Sequence, residues 1–296
     1  MSGARRGIPA TPYDLAVVVL TYVAALAAAT YVGRTVHDMH PLVIAAAADL
    51  AATIVVFTFS VAYDNSSMYD AYWSVVPPAL GVFWMWGASA DVPAARQVLV
   101  LVLVFAWGVR LTANWLRGWR GLAHEDWRYV QLRGQTGRGY WLASLVGLHL
   151  APTAVVFLGC VPMFLAVARG TAPLGALDLL AVAVTAFAIA VETIADIQLH
   201  RFRTHATSGA TLTTGLWAYS RHPNYFGEAL FWWGLWLIGT ASGHAPWWTA
   251  AGPVLITAML SFVSVPLIDA RMQASRPDYG TRMQRVSALV PWFPRR

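Results

Sequence analysis

Apolar residues run along this chain in blocks long enough to cross a bilayer, and polar residues collect in the short stretches between them. Spans are expected at residues 13–33, 41–63, 73–90, 94–116, 140–168, 175–199, 223–241 and 246–269. The third and seventh are short or interrupted, and the fifth is long enough to tilt or break at Pro152 and Pro162. The pattern predicts an all-α fold, a polytopic integral membrane helical bundle of about eight transmembrane helices, within a range of roughly seven to ten. No internal repeat or low-complexity tract interrupts it, so residues 1–296 are expected to form a single integral membrane domain. Residues 1–63 are mostly apolar and are expected to be peripheral helices. Polar side chains thicken after residue 63, which marks residues 64–296 as the core that houses any chemistry.

Composition and charge sharpen this. The chain is 58% hydrophobic and 11% charged, which excludes disorder and argues against an ordinary soluble domain. All 20 basic side chains are arginine. With the N-terminus inside, the eight spans put Arg5, Arg6, the 117–139 and 200–222 loops and the C-terminal tail on one side, 16 arginines in all. The other side holds Arg34, Arg96 and Arg169, and Arg110 falls within a span. The positive-inside rule then places both termini and the basic loops in the cytoplasm of a multi-pass protein. Orientation and contact with anionic lipid head groups account for the net charge of +6, so no nucleic-acid partner is implied. No signal peptide is expected, because Pro9, Pro12 and Asp14 precede a full-length span without a small-residue cleavage site. The one cysteine, Cys160, excludes an internal disulfide and a multi-cysteine metal site, and no metal is expected.

Five clusters carry candidate chemistry. Glu192 and Asp196 share a helix face at the end of the sixth span, and Arg203 lies seven residues beyond Asp196 on that face, with Gln198, His200 and Arg201 beside them. Such a stripe is either an ion pair that ends the helix or a pocket that hydrogen-bonds a ribose or amide and pairs with phosphate. The second cluster runs Ser220-Arg221-His222-Pro223-Asn224-Tyr225-Phe226-Gly227-Glu228. Pro223 opens a helix whose N-terminal amides and positive dipole end suit an anion, with Arg221 and His222 reinforcing it and Glu228 one turn deeper as an acceptor. The third spans Arg110, Asn114, Arg117, Arg120, His124-Glu125-Asp126-Trp127-Arg128-Tyr129 and Arg133, either a basic aromatic membrane edge or part of a polar cavity around Arg110. The fourth, Tyr63 to Trp73, is a solvated loop or a pocket lined by Asp64, Asp70 and Tyr72. The fifth is the tail, with Asp269, Arg271, Arg276, Asp278, Tyr279, Arg282 and Arg285, which either folds back as a lid or docks at the head groups. His149 and Asp49 are read as structural.

Two of these runs carry a resemblance. Glu192 to Arg203, followed by Gly215 to Glu228, resembles the steroid 5α-reductase family, and more closely its bacterial branch of uncharacterised, DUF1295-type membrane proteins. Sterol C14-reductases share the Gln198…Phe202-Arg203 and Arg221-His222-Pro223-Asn224-Tyr225 pieces. The close likeness covers roughly residues 190–296, with weaker support from 63–140. The resemblance implies NADPH as cofactor, held by Asp196, Arg203, Asn224 and Glu228, with Tyr219 and Tyr225 lining its groove. It adds Arg271 and Tyr279 from the C-terminal region and Arg110 from the fourth span, beside the Arg221 and His222 suggested by the residues themselves. Trp107 stands where the family's carbonyl-polarising tyrosine falls.

The expected function is NADPH-dependent saturation of a carbon–carbon double bond in a lipid or steroid-like substrate, by hydride transfer plus protonation. Tyr129, Asp126 and Tyr72 are the expected catalytic proton donors. Membrane lipids are expected partners, and no obligate protein partner is indicated. Two other functions share the same motif. One is an S-adenosylmethionine-dependent membrane methyltransferase of the isoprenylcysteine or phospholipid type, and the other is a non-catalytic lipid-binding membrane protein.

Overall fold

The computed structural model describes residues 10–207, 209–243 and 245–295, so Arg5, Arg6 and Arg296 of the topology argument lie outside the described residues. Helix α1 (Pro12–Thr35) starts at a capping box, in which the Thr11 hydroxyl accepts from the Asp14 amide and the Asp14 carboxylate accepts from the Thr11 amide. Helix α2 (Pro41–Ala62) is capped by the His40 ring, which accepts from the Leu42 amide. Both helices open on a proline whose missing N–H would have had no partner there. Then come α3 (Tyr72–Trp86), α4 (Ala94–Gly118), α5 (Trp127–Arg169), α6 (Ala176–His205), α7 (Pro223–Ala241), α8 (Trp247–Ser275) and the short α9 (Tyr279–Arg285).

Six of these, α1, α2, α4, α5, α6 and α8, are long and apolar enough to cross a membrane. The third and seventh expected spans coincide with α3, of 15 residues, and α7, of 19. Among the described residues there is no strand, only one isolated parallel bridge between Ser220 and Ser287. Val19, Val23 and Leu26 on α1, and Leu179, Leu180 and Phe187 on α6, turn outward. Water penalises such faces and lipid does not. Three π-helical turns, Ser144–Leu150, Leu165–Arg169 and Leu260–Ser264, sit close to Pro152, Pro162 and Pro266. Each proline lacks the N–H that the α-helical ladder needs, which favours a local change of pitch.

The chain folds into two compact units. One takes in the described residues through Gly87 together with Gly108–Phe157, and the other Ala88–Trp107 together with Leu158 onward. In the first unit, α2 packs on α1, and the buried residues Val56, Met68, Tyr69 and Tyr72 form the centre. The Tyr22 hydroxyl donates to the Met68 carbonyl at 3.0 Å, and the Tyr69 hydroxyl meets Thr153 at 2.7 Å.

In the second unit, α6 and α7 approach closely because the contact positions are small. Gly227 abuts Ala188 and Glu192, and Gly234 abuts Thr185. A β-carbon on Gly227 would lie 2.8 Å from the Glu192 β-carbon. Arg96, 1% exposed, binds Asp178 through Nε at 2.8 Å and Nη2 at 3.1 Å, and also donates to the Ala172 carbonyl at 2.8 Å. Burying that charge is tolerable only because its donors are matched this completely.

Candidate cofactor site

The polar end of the second unit is built around one carboxylate. Asp269, 2% exposed near the end of α8, accepts from Arg221 Nη2 at 2.8 Å and from the Tyr279 hydroxyl at 2.6 Å, and His222 Nε2 lies 2.9 Å away. Arg221 Nη1 donates to the carbonyls of Met283 at 3.0 Å and Val286 at 2.7 Å. The backbone repeats the connection: Arg221 N donates to Ser287 O, Ser220 Oγ to Leu289 O and Trp292 N to Tyr219 O, at 2.9, 2.7 and 2.9 Å. Arg221 and His222 were expected to face an anion. They instead spend their donors within the protein, fastening the C-terminal tail to the segment that precedes α7. Burial and the Asp269 carboxylate push the Tyr279 phenol up from its ordinary pKa, so Tyr279 stays a neutral donor.

Glu228 is similarly occupied. It is 4% exposed, and its two oxygens accept from Trp107 Nε1 at 3.0 Å and Trp232 Nε1 at 2.8 Å. Trp107 is itself fully buried and stacks on Phe231 with ring centres 4.5 Å apart.

The remaining expected residues gather at the mouth formed by the ends of α6 and α8 and the start of α7. Gln198 Oε1 accepts from the Leu216 amide at 3.0 Å, and Trp217 Nε1 donates to the Ala195 carbonyl at 3.1 Å, folding the 206–222 segment back onto α6. Gly215, at φ +62°, lies against the Gln198 amide where a side chain would collide. Arg203 is exposed and feels the charges of Arg276, Asp196 and Tyr225, which brings two guanidinium groups, one carboxylate and one phenol into a single electrostatic group. Arg276 is held by its Nε donating to the Ala210 carbonyl at 2.8 Å. Asn224 is half-buried in the first turn of α7, and its amide makes no hydrogen bond among the described residues. Tyr219 is 43% exposed with Phe293 edge-on to it, and Arg271 is exposed on α8.

Arg110 and the three expected proton donors belong to the first unit. Arg110 is half-buried on α4. Tyr72 donates to Asp49 Oδ1 at 2.7 Å and stacks on Tyr69. Asp126 caps α5, accepting from Arg128 N at 2.9 Å and Nε at 2.7 Å. Tyr129 donates a short hydrogen bond to Asp70. Burial is the main cause that pushes Asp70 up to about 7, against the pull of Arg128 and the Tyr129 hydroxyl. Tyr72 and Asp126 are thus tied to structural partners, and in the Tyr129–Asp70 pair the Asp70 carboxyl changes protonation near neutrality.

The unit also holds a chain of hydrogen bonds that local patterning did not reveal. Glu125 accepts from the Tyr140 hydroxyl at 2.9 Å, Tyr140 meets Ser66 at 2.7 Å, and Ser66 meets Ser144 at 2.9 Å. The buried His149 ring follows, with Nδ1 3.0 Å from the Ser144 carbonyl. Asp269, Trp107, Trp232 and Asp178 also escaped the sequence reading as partners. Of these, only the Glu228–Trp232 spacing of one helical turn was a local signal.

Residues 56–286 match the family model described as "Protein of unknown function (DUF1295)". The chain belongs to this family. It is also similar to "Uncharacterized protein C594.04c" of Schizosaccharomyces pombe, 25% identical over 232 residues that take in 71% of this chain and 67% of that protein. No solved structure matches the chain. The DUF1295 match takes in every site residue named above from Tyr72 to Tyr279, and leaves out α1, most of α2 and the tail beyond Val286.

Proposed function

We propose that this DUF1295 protein is an NADPH-dependent membrane reductase of the steroid 5α-reductase type, saturating a carbon–carbon double bond in a lipid or steroid-like substrate. The observation that carries the reading is the convergence of Arg203 and Arg276 with Asp196 and Tyr225 at the mouth of the second unit. Two guanidinium groups close enough to feel each other's charge repel unless an anion is shared between them. The half-buried Asn224 amide and the first-turn amides of α7 add donors beside them. This set fits a dinucleotide that bears phosphates, a ribose and a carboxamide. It fits S-adenosylmethionine less well, because the sulfonium and ammonium groups would meet two like charges.

In this reading Arg203 and Arg276 hold phosphate, Asp196 accepts from ribose hydroxyls, and Asn224 binds an amide. Tyr219 and Tyr225 border the groove, and Arg271 adds positive charge from α8. Arg221, His222 and Tyr279 act one step back, by holding the Asp269 knot that fixes the start of α7. Glu228 acts through the two indoles it binds. NADPH, when bound, supplies a hydride. The arginine distribution supports both termini and the pocket facing the cytoplasm, and the resemblance to a bacterial branch makes the bacterial inner membrane the proposed location, with α3 and α7 as short additional crossings that bring the count to about eight.

The test is thermal stabilisation of the detergent-purified protein by NADPH, NADH and S-adenosylmethionine. NADPH is expected to raise the melting temperature most. Arg203→Ala and Asn224→Ala are each expected to weaken it by roughly tenfold, the loss of one or two hydrogen bonds to a charged or polar ligand. Stabilisation by S-adenosylmethionine alone would overturn the reductase reading in favour of a methyltransferase. No response to any nucleotide would leave a lipid-binding protein.

A further inference from the structure

A second basic cleft lies on the tail itself. Its volume is about 400 Å³, and Arg285, Ser287, Trp292, Phe293 and Arg295 are among the residues that line it. Arg221 also borders it, but its donors are already taken by Asp269, Met283 and Val286. The guanidinium groups of Arg285 and Arg295 make no hydrogen bond or ion pair among the described residues, and both side chains are exposed. They are nevertheless held near each other, because the Arg295 amide donates to the Arg285 carbonyl at 2.9 Å. Beside them Val290, Trp292 and Phe293 are 56%, 70% and 75% exposed. Nothing in the chain's own chemistry calls for three bulky apolar side chains next to two open arginines.

We propose that this cleft binds the phosphate of an anionic phospholipid head group, with Arg285 and Arg295 on the phosphate and Trp292, Phe293 and Val290 in the adjoining acyl boundary. The chemistry is that of the membrane interface, where an indole sits at head-group depth and arginine pairs bidentately with phosphate. A free phosphate would satisfy the arginines equally well but would leave the aromatic pair in water, which is why the lipid is the favoured source. The tail is anchored to Tyr219 and Ser220, just ahead of α7, so a lipid bound here would restrain the segment that leads into the helix. The inference does not depend on the identity of any cofactor.

Native mass spectrometry of the full-length protein with added phosphatidylglycerol or phosphatidylcholine tests it. The wild type is expected to retain one phosphatidylglycerol in preference to phosphatidylcholine. The double variant Arg285→Ala/Arg295→Ala is expected to bind it roughly 25-fold more weakly, about fivefold for each interfacial arginine. Trp292→Ala/Phe293→Ala should also weaken retention while keeping the preference for the anionic head group. Neither pair is held by a side-chain hydrogen bond, and an unchanged melting temperature will verify folding. Equal retention by the wild type and the arginine variant, or no preference between the two lipids, overturns the proposal. Displacement of the lipid by millimolar inorganic phosphate would show a free-anion site instead. Displacement by NADPH would make the cleft part of a nucleotide pocket and equally remove the lipid assignment.

Discussion

Replacing Asp269 by asparagine tests whether one carboxylate holds the tail to the start of α7. The side chain keeps its shape and can keep one accepting oxygen for Tyr279 and His222. Its second oxygen becomes an amide NH₂ facing Arg221 Nη2, which donates at 2.8 Å in the native protein. A donor then meets a donor, and a buried guanidinium loses its counter-charge. Removing one partner of a buried ion pair costs about 3–5 kcal/mol. The remaining Arg221 bonds to Met283 and Val286 offset part of this, so a loss of about 3 kcal/mol is expected. It should appear locally, because the Trp292 and Arg295 amides depend on the docked tail. Hydrogen exchange read by mass spectrometry should show these amides exchanging roughly 100-fold faster, with α1 and α2 unchanged. Tail amides as protected as in the wild type would refute the reasoning, since the tail would then be held by its backbone bonds alone.

The first unit has its own pH dependence. Asp70 is raised from the ordinary carboxylate range to about 7, so the folded state binds its proton more tightly than the unfolded chain does. Its contribution is complete below about pH 4 and is lost as pH rises through about 7, a fall of at most about 4 kcal/mol. Asp70→Asn should flatten that fall in melts taken at pH 5 and pH 8, and an unchanged pH profile would count against a raised carboxyl there. Arg96→Met should destabilise the protein by about 3–5 kcal/mol, because Asp178 is left charged and buried, and Arg96→Met/Asp178→Leu should recover most of the loss. If the double variant is no better than the single one, the carbonyl contacts matter more than the pair. Gly234→Ala should cost about 1–3 kcal/mol through its collision with Thr185, with partial rescue by Thr185→Ala, both read by thermal melting.

Local sequence was enough for the helices, because each needs only its own apolar length, its capping residues and its prolines. Pro223 marks a helix start that recurs in the structure. The stripe from Glu192 to Arg203 was equally legible, since residues at helical spacing must share a face. The tail pointed in two directions, as a lid or a head-group anchor, and nothing local to it distinguishes them.

What the sequence by itself determined is therefore the all-helical character, the long apolar helices and the two polar runs that the mouth of the second unit brings together. Which of their donors remain open for a ligand was decided only by tertiary structure. Arg221 and His222 look like anion binders in isolation, yet Asp269, some 48 residues away, takes them up. Glu228 looks like an open acceptor until two indoles close on it. Arg276, remote in sequence, comes near enough for Arg203 to feel its charge. The physical reason is common to all three. A buried charge must be matched by whatever group the fold brings within about 3 Å, and sequence distance places no limit on which group that is.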